Sequence, residues 1–235
     1  MSTDRGAELA ASLAALNERV ARACGAADRD PASVTLIAVT KTFPASDIRL
    51  LADLGVTDVG ENRDDEAAGK HAECRDLGLA WHFVGQVQRR KARSVAAYAD
   101  VVHSIDRPEL AVALSAAVTS EARLLAGLVQ ICLDPVGSQG RAGVAPEAVV
   151  ELAEQVVRSP GLALAGVMAV APLGGDPDIA FARLAELSAQ VRAAFPAATM
   201  ISAGMSGDLE AAIRHGATHL RVGSALMGGR SGLVG

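Results

Sequence analysis

Aromatic residues make up only 3% of this 235-residue chain, with one tryptophan, one tyrosine and four phenylalanines. Any core has to be aliphatic, and since half of all residues are hydrophobic a sizeable one is expected at this length. Positive charge is also in deficit. The 22 Lys and Arg stand against 27 Asp and Glu, a formal net charge of −5, which argues against non-specific nucleic-acid binding. Cys24, Cys74 and Cys132 are odd in number and lack C-x-x-C spacing, so neither a disulfide framework nor a zinc site is expected, and the thiols suit a reducing cytoplasm. No apolar run approaches the length of about 20 residues that spans a bilayer. Met1-Ser2-Thr3-Asp4-Arg5 is polar with no apolar core behind it, unlike a signal peptide. A cytoplasmic protein is expected, with neither nucleic acid nor membrane as partner.

What is present follows a repeating rhythm. The run Leu36-Ile37-Ala38-Val39-Thr40-Lys41 is too short for a helix and is broken by Thr42-Phe43-Pro44, so it reads as a buried strand ending in a lysine. Ahead of it, Leu9, Leu13, Leu16, Val20 and Cys24 recur at helical spacing, predicting an amphipathic helix over 8–24. Ser46 is expected to cap a helix over 46–54 that Gly55 closes. Strands at 56–62, 81–85 and 101–105 alternate with helices over 63–75 and 88–98, and Asp106 with Pro108 starts another helix. The second half continues with strands at 125–133, 164–170, 199–203 and 219–222. Its helices fall at 146–158, 179–194 and 208–215, and a Gly-rich loop occupies 134–144. Eight strands, almost every one followed by a helix, imply parallel βαβ units. The fold class is α/β, and eight such units in this length predict a (β/α)8 TIM barrel with an extra N-terminal helix. A doubly wound sheet is the alternative, but no G-x-G-x-x-G follows the first strand. No linker divides the chain, so 1–235 is read as one domain.

In such a barrel the C-terminal ends of all strands share one mouth. Lys41, Asn62, His82 or Gln86, and Ser104 are expected to converge there. A desolvated lysine can lose its proton and attack a carbonyl; the bland alternative is a surface lysine at a strand end. Two later stretches favour the first reading. Ser202-Ala203-Gly204-Met205-Ser206-Gly207 opens into a helix, and Arg221-Val222-Gly223-Ser224 leads into Gly228-Gly229-Arg230. Loops after strands seven and eight are the usual phosphate site of a barrel. Small residues let backbone N–H groups approach an anion, and the helix that Ser206 caps would turn its positive end toward it. Singly, Ser206 is only an N-cap and the glycines only turns. Together, opposite a strand-end lysine, they suggest Schiff-base chemistry with a phosphorylated carbonyl compound, either pyridoxal 5′-phosphate or a sugar phosphate in a class I aldolase. Arg221 would keep its charge and, beside a pyridine nitrogen, disfavour protonating it; a structural ion pair is its other reading. The run Arg89-Arg90-Lys91-Ala92-Arg93 reads as a solvated helix face. His71, His215 and His219 lack metal-ligand spacing, and Cys132 reads as core.

The order Ala38-Val39-Thr40-Lys41-Thr42, Gly60-Glu61-Asn62, Trp81-His82-Phe83-Val84-Gly85, Val102-His103-Ser104-Ile105-Asp106, Gly204-Met205-Ser206-Gly207-Asp208 and Arg221-Val222-Gly223 resembles the YggS/PROSC family of pyridoxal phosphate homeostasis proteins over nearly the whole chain. The resemblance implies a barrel of the alanine racemase N-terminal-domain type that binds pyridoxal 5′-phosphate. It implies that Lys41 forms the internal aldimine and that Arg221 faces the pyridine nitrogen. It further implies that Ser206, Gly207, Gly223 and Ser224 hold the phosphate, with Asn62 beside the cofactor and Met205 packed nearby. Arg63 stands where the family often has an aromatic, and Gln86 where it has a basic residue or histidine; residues 134–141 and 169–172 also depart from the usual pattern.

A carrier that masks the aldehyde and hands it to apo-enzymes is one expectation; a pyridoxal-phosphate racemase is the other. Racemization needs an acid/base group on each face of the α-carbon. Lys41 serves one face, and in relatives of this fold type a tyrosine from an added β-domain serves the other. Here the chain ends soon after the barrel, and its only tyrosine, Tyr98, falls late in a helix that should pack outside. No robust turnover is expected, no metal is implied, and a monomer is anticipated. An aldolase would keep the lysine but has no use for Arg221 beside a ring nitrogen.

Overall fold

The computed structural model describes residues 2–120, 123–134 and 142–228. Eight strands, β1 Thr35–Val39, β2 Asp58–Glu61, β3 Ala80–Phe83, β4 Val101–Ile105, β5 Leu125–Gln130, β6 Leu162–Met168, β7 Met200–Ser202 and β8 His219–Val222, form a closed barrel in sequence order. Every strand pair is parallel, and β1 closes onto β8 with Ile37 opposite Arg221. The helices are α1 Ser2–Ala26, α2 Ala45–Asp53, α3 Asp64–Glu73, α4 Ala92–Tyr98, α5 Pro108–Ser120, α6 Val149–Val157, α7 Pro177–Ala194, α8 Leu209–Arg214 and α9 Ser224–Met227. The expected (β/α)8 barrel with its N-terminal helix is the observed architecture.

Side chains alternate across each strand, so the barrel has two cores. The outward set packs against the helices in one large aliphatic cluster that includes Ala38, Val102, Val129, Leu220 and Val222. The inward set is split. Leu128, Met168 and Val101, with Ala126 and Met200 against them, fill one part of the interior, while polar side chains occupy the rest.

Several local details differ from the sequence reading. The helix after β1 starts at Ala45 with Pro44 at its N-cap, so Ser46 caps nothing; the proline ring already fixes the entering φ. Residues 88–98 divide into a 3-10 turn, Arg89–Lys91, and α4. Helix α7 starts earlier than expected because the Asp176 carboxylate accepts the Asp178 N–H at 2.9 Å. The fifth strand stops at Gln130, with Ile131 forming an isolated bridge to Val144. Residues 135–141 of the Gly-rich loop, together with Gly229 and Arg230, lie outside the described residues. Among the described residues no helix is long and apolar enough to cross a membrane.

Helix α1 buries the predicted face, Leu9, Leu13, Leu16, Val20 and Cys24, and its arginines tie it to the barrel's loops. Arg5 donates to Asp47 at 2.8 Å and to the Met227 carbonyl at 3.0 Å. Arg19 donates to the Ser206 carbonyl at 2.8 Å and to Glu210 at 2.6 Å. The loops after β7 and β8 are thus braced from outside by one long helix.

A second brace sits between β1, β2 and α3. Lys70 Nζ donates to the Thr40 carbonyl and to Glu61 Oε1, both at 2.8 Å, and to Glu66 Oε1 at 2.5 Å. Glu61 also accepts from the Thr40 hydroxyl at 2.7 Å, and Glu66 accepts the Thr42 N–H at 2.5 Å. Thr42 has φ +70, a left-handed conformation costly for a β-branched residue, so this network holds the turn that carries Lys41. Burial pushes the Glu61 carboxyl up in pKa against the hydrogen bonds from Lys70 and Thr40. Lys70→Met leaves that carboxyl buried without its cation and should cost about 3–5 kcal/mol in urea unfolding. A loss under about 1 kcal/mol, the scale of an exposed pair, would show that the pair does not support the turn.

Candidate functional site

Alternation places Ile37, Val39 and then Lys41 on the inner face of the first strand, because Thr40 between them turns outward to Glu61 and Lys70. Lys41 is half-buried, and its ammonium has no hydrogen bond or ion pair among the described residues. Asn62 follows β2 at the same end. Its Oδ1 is buried with no partner, and Gly85 packs so closely that a Cβ there would lie 2.3 Å from the Asn62 carbonyl oxygen. Ser104 donates to the Gly85 carbonyl at 2.6 Å, so it fixes this loop rather than opening into the mouth.

Gly204, two residues beyond β7, has φ +88, a conformation that favours glycine, and a Cβ there would meet Ala212 at 2.6 Å. The chain then runs through Met205, Ser206 and Gly207 into α8. Ser206 does not cap that helix, contrary to expectation. Asp208 occupies the N-cap, its carboxylate accepting the Met205 N–H at 2.6 Å. The Ser206 hydroxyl instead accepts the Ala225 N–H at 3.1 Å, joining the β7 loop to the β8 loop. The backbone N–H groups of Ser206, Gly207, Gly223 and Ser224 donate no hydrogen bond among the described residues. With α8 only six residues long and α9 four, these free N–H groups, more than any macrodipole, make the two loops attractive to an anion. Met205 lies at the rim, 39% exposed.

Below the mouth, Arg221 is buried without a carboxylate in contact among the described residues. Its Nη1 donates to the Ser202 hydroxyl at 2.6 Å and its Nη2 to the Ala169 carbonyl at 2.9 Å, so the ion-pair reading does not hold. Burial lowers its pKa to about 10, against the attraction of Asp208, and it remains a cation at neutral pH. His82 does not reach the mouth: it lies in the barrel interior, with Nε2 2.9 Å from Asp58 and Nδ1 2.9 Å from His103. Sequence reasoning passed over Asp58, His103 and Ser202. Their signal was available in the alternation, since polar residues at inward positions of a closed barrel have only each other as partners.

Tyr98 packs in the outer core, its ring 6.0 Å from His71, with burial and then Asp64 driving its phenol pKa upward. It lies outside the barrel, as expected. Within the basic run, Lys91 pairs with Asp64 at 3.1 Å and Asp65 at 2.5 Å, while Arg89, Arg90 and Arg93 border an exterior groove between α4 and α5. Among the described residues no group of His, Cys, Asp or Glu could hold a metal ion.

The interior histidines give folding a distinct acid response. Burial, reinforced by His82, Arg221 and His219, pushes the His103 pKa well below its ordinary value; burial and His82 push His219 down to about 4. The unfolded chain therefore binds more protons than the fold as pH falls through the ordinary histidine value near 6.5. This contribution to stability is complete above that value and falls as the pH drops below it, at up to about 1.4 kcal/mol per pH unit for each histidine, His219 adding no further loss below about 4. Urea midpoints measured from neutral to mildly acid pH should fall accordingly, and His219→Gln should make the slope shallower. A flat profile would mean that these rings are not held neutral.

Residues 11–231 match the family described as Alanine racemase, N-terminal domain. The chain is 43% identical to the pyridoxal phosphate homeostasis protein of Mycobacterium tuberculosis, over 97% of this chain and 95% of that protein. PipY of Synechococcus elongatus, solved with PLP bound, is similar with a TM-score of 0.82 at 34% identity, over 94% of this chain and 100% of PipY. Alanine racemase of Corynebacterium glutamicum shares the fold alone, with a TM-score of 0.67 at 15% identity over 94% of this chain and 60% of the racemase. With its closed barrel, its strand-end lysine and these near-complete matches, the chain belongs to the family of pyridoxal phosphate homeostasis proteins.

Proposed function

We propose that this protein binds pyridoxal 5′-phosphate at the C-terminal mouth of the barrel and serves its homeostasis, supplying the cofactor to apo-enzymes without robust turnover of its own. The observation that carries the reading is a lysine at the same end of the barrel as four backbone N–H groups, all five without a partner among the described residues. When bound, the cofactor would supply an aldehyde, and Lys41 would be the amine that holds it as a Schiff base. The chain's own residues fit that ligand. Ser206, Gly207, Gly223 and Ser224 offer N–H donors to a phosphate. The orphaned Asn62 Oδ1 is ready to accept a hydrogen bond, and Met205 can cover the rim. Arg221, a fixed donor, would keep a ring nitrogen unprotonated and so weaken the ring as an electron sink.

The racemase reading is less well supported. It requires a second acid/base group opposite Lys41, and Tyr98 is buried outside the barrel. Names and ligands of the relatives favour a binding role.

Absorption spectra with and without added pyridoxal phosphate, then borohydride reduction and peptide mapping, test the site. A new band and an adduct on Lys41 are expected. No band, or adducts scattered over surface lysines, would sink the proposal. Lys41→Ala should abolish the band but keep measurable, phosphate-anchored affinity; complete loss of binding would mean that the two glycine-rich loops are misassigned. Amino-acid turnover assays should stay at background, and efficient racemization would overturn the carrier reading.

A further inference from the structure

Five polar side chains in the barrel interior form one continuous chain. Arg221 Nη1 lies 2.6 Å from Ser202 Oγ, and Ser202 Oγ lies 2.8 Å from His103 Nδ1. His103 Nε2 is 2.9 Å from His82 Nδ1, and His82 Nε2 is 2.9 Å from Asp58 Oδ1. Ser202 and His103 are wholly buried and His82 nearly so, while the Asp58 side chain, at the start of β2 and away from the mouth, keeps 17% exposure.

The two ends fix every proton between them. A guanidinium only donates, so Ser202 accepts from Arg221. A carboxylate only accepts. Burial raises the Asp58 pKa, but hydrogen bonds from His82 and Thr57 outweigh it and hold the carboxyl below its ordinary range, so His82 Nε2 must carry a proton. The Ser202 hydroxyl hydrogen then goes to His103 Nδ1, and His103 Nε2–H goes to His82 Nδ1. His82 and His103 then each carry Nε2–H, and every link donates toward Asp58. The reverse polarity would leave the Ser202 hydrogen without an acceptor and set a bare His82 nitrogen against a carboxylate. His219 stands beside this chain rather than in it, its ring 6.3 Å from His82 and its Nδ1 2.8 Å from the Thr218 hydroxyl.

We propose that Asp58, His82, His103 and Ser202 are positioning residues for Arg221. The chain pins the guanidinium and links its buried charge to a carboxylate at the far end of the barrel, so the hydrogen bond that Arg221 offers a ring nitrogen depends on residues that never touch the cofactor. Among the described residues Arg221 has no carboxylate in contact, and its one other protein bond is to the Ala169 carbonyl. A directed hydrogen-bond chain in a dry interior polarises cooperatively, and outer partners of this kind orient and tune the group they hold. The inference rests on the cofactor reading above.

Nitrogen-15 correlation spectra of the ligand-free protein test the chain without any cofactor, and should show Nε2–H tautomers for His82 and His103 at neutral pH. Ser202→Ala cuts the chain, Ser202→Thr retains the hydroxyl, and Asp58→Asn keeps an acceptor oxygen while removing the charge. Ser202→Ala and Asp58→Asn should shift the absorption maximum of added pyridoxal phosphate and its pH titration and weaken binding about tenfold. Ser202→Thr should restore the wild-type spectrum, and Lys41 should remain the borohydride adduct in all three. Nδ1–H on His103 in the wild type, or Ser202→Ala and Asp58→Asn spectra that superpose on the wild type, would overturn the inference. If the wild type shows no cofactor band, the cofactor reading fails instead. The tautomer signals of the ligand-free wild type and of Ser202→Ala then decide whether the chain exists: unchanged His103 signals in that variant would overturn it.

Discussion

A guanidinium buried inside a barrel has to be satisfied by something, and around Arg221 that requirement organises half of the interior. The apolar part of the barrel, around Leu128 and Met168, needs only volume. The polar part needs donors and acceptors matched one for one, because an unpaired group in a dry core costs about 1–3 kcal/mol. Strands β2, β3, β4, β7 and β8 each contribute a side chain to the solution. Each of the five side chains in this set is hydrogen-bonded to at least one other member.

The outer layer solves a different problem. The residue after Lys41 is held in a left-handed conformation, and a strand end alone would not hold it there. The Glu61–Lys70–Glu66 network joins the Thr40 carbonyl, the Thr42 amide and α3 in one cluster. On the other side of the mouth, α1 reaches the β7 loop through Arg19 and the β8 loop through Arg5. The mouth is therefore rigid where an anion would be bound by backbone, and its lysine is presented from a constrained turn. Such preorganisation lowers the cost of binding. It suits the carrier role proposed above, in which Lys41 would hold a reactive aldehyde.

The strand-end position of Lys41, the small residues after the seventh and eighth strands and the placing of Arg221 were all readable from the chain. Each follows from a local rule: β-branched runs make strands, alternation assigns faces, and parallel strands share one mouth. Local rules failed where two segments compete for one group. Ser46 yields its cap to Pro44, which enters the helix with φ already set. Ser206 gives its hydroxyl to the Ala225 amide, 19 residues further on, and Asp208 takes the cap position instead.

By itself, then, the sequence determined the barrel, the end of it where Lys41 and the two small-residue loops meet and the residue types available there, because periodicity and turn chemistry act over a few residues. Tertiary structure alone decided that His103 on β4 meets Ser202 on β7, 99 residues away, that Arg221 is bonded to a hydroxyl and a carbonyl instead of a carboxylate, and that His82 faces inward to Asp58. Those pairings exist only once the barrel closes, when β8 is brought beside β1 and the inward side chains of distant strands are left with no partners but one another.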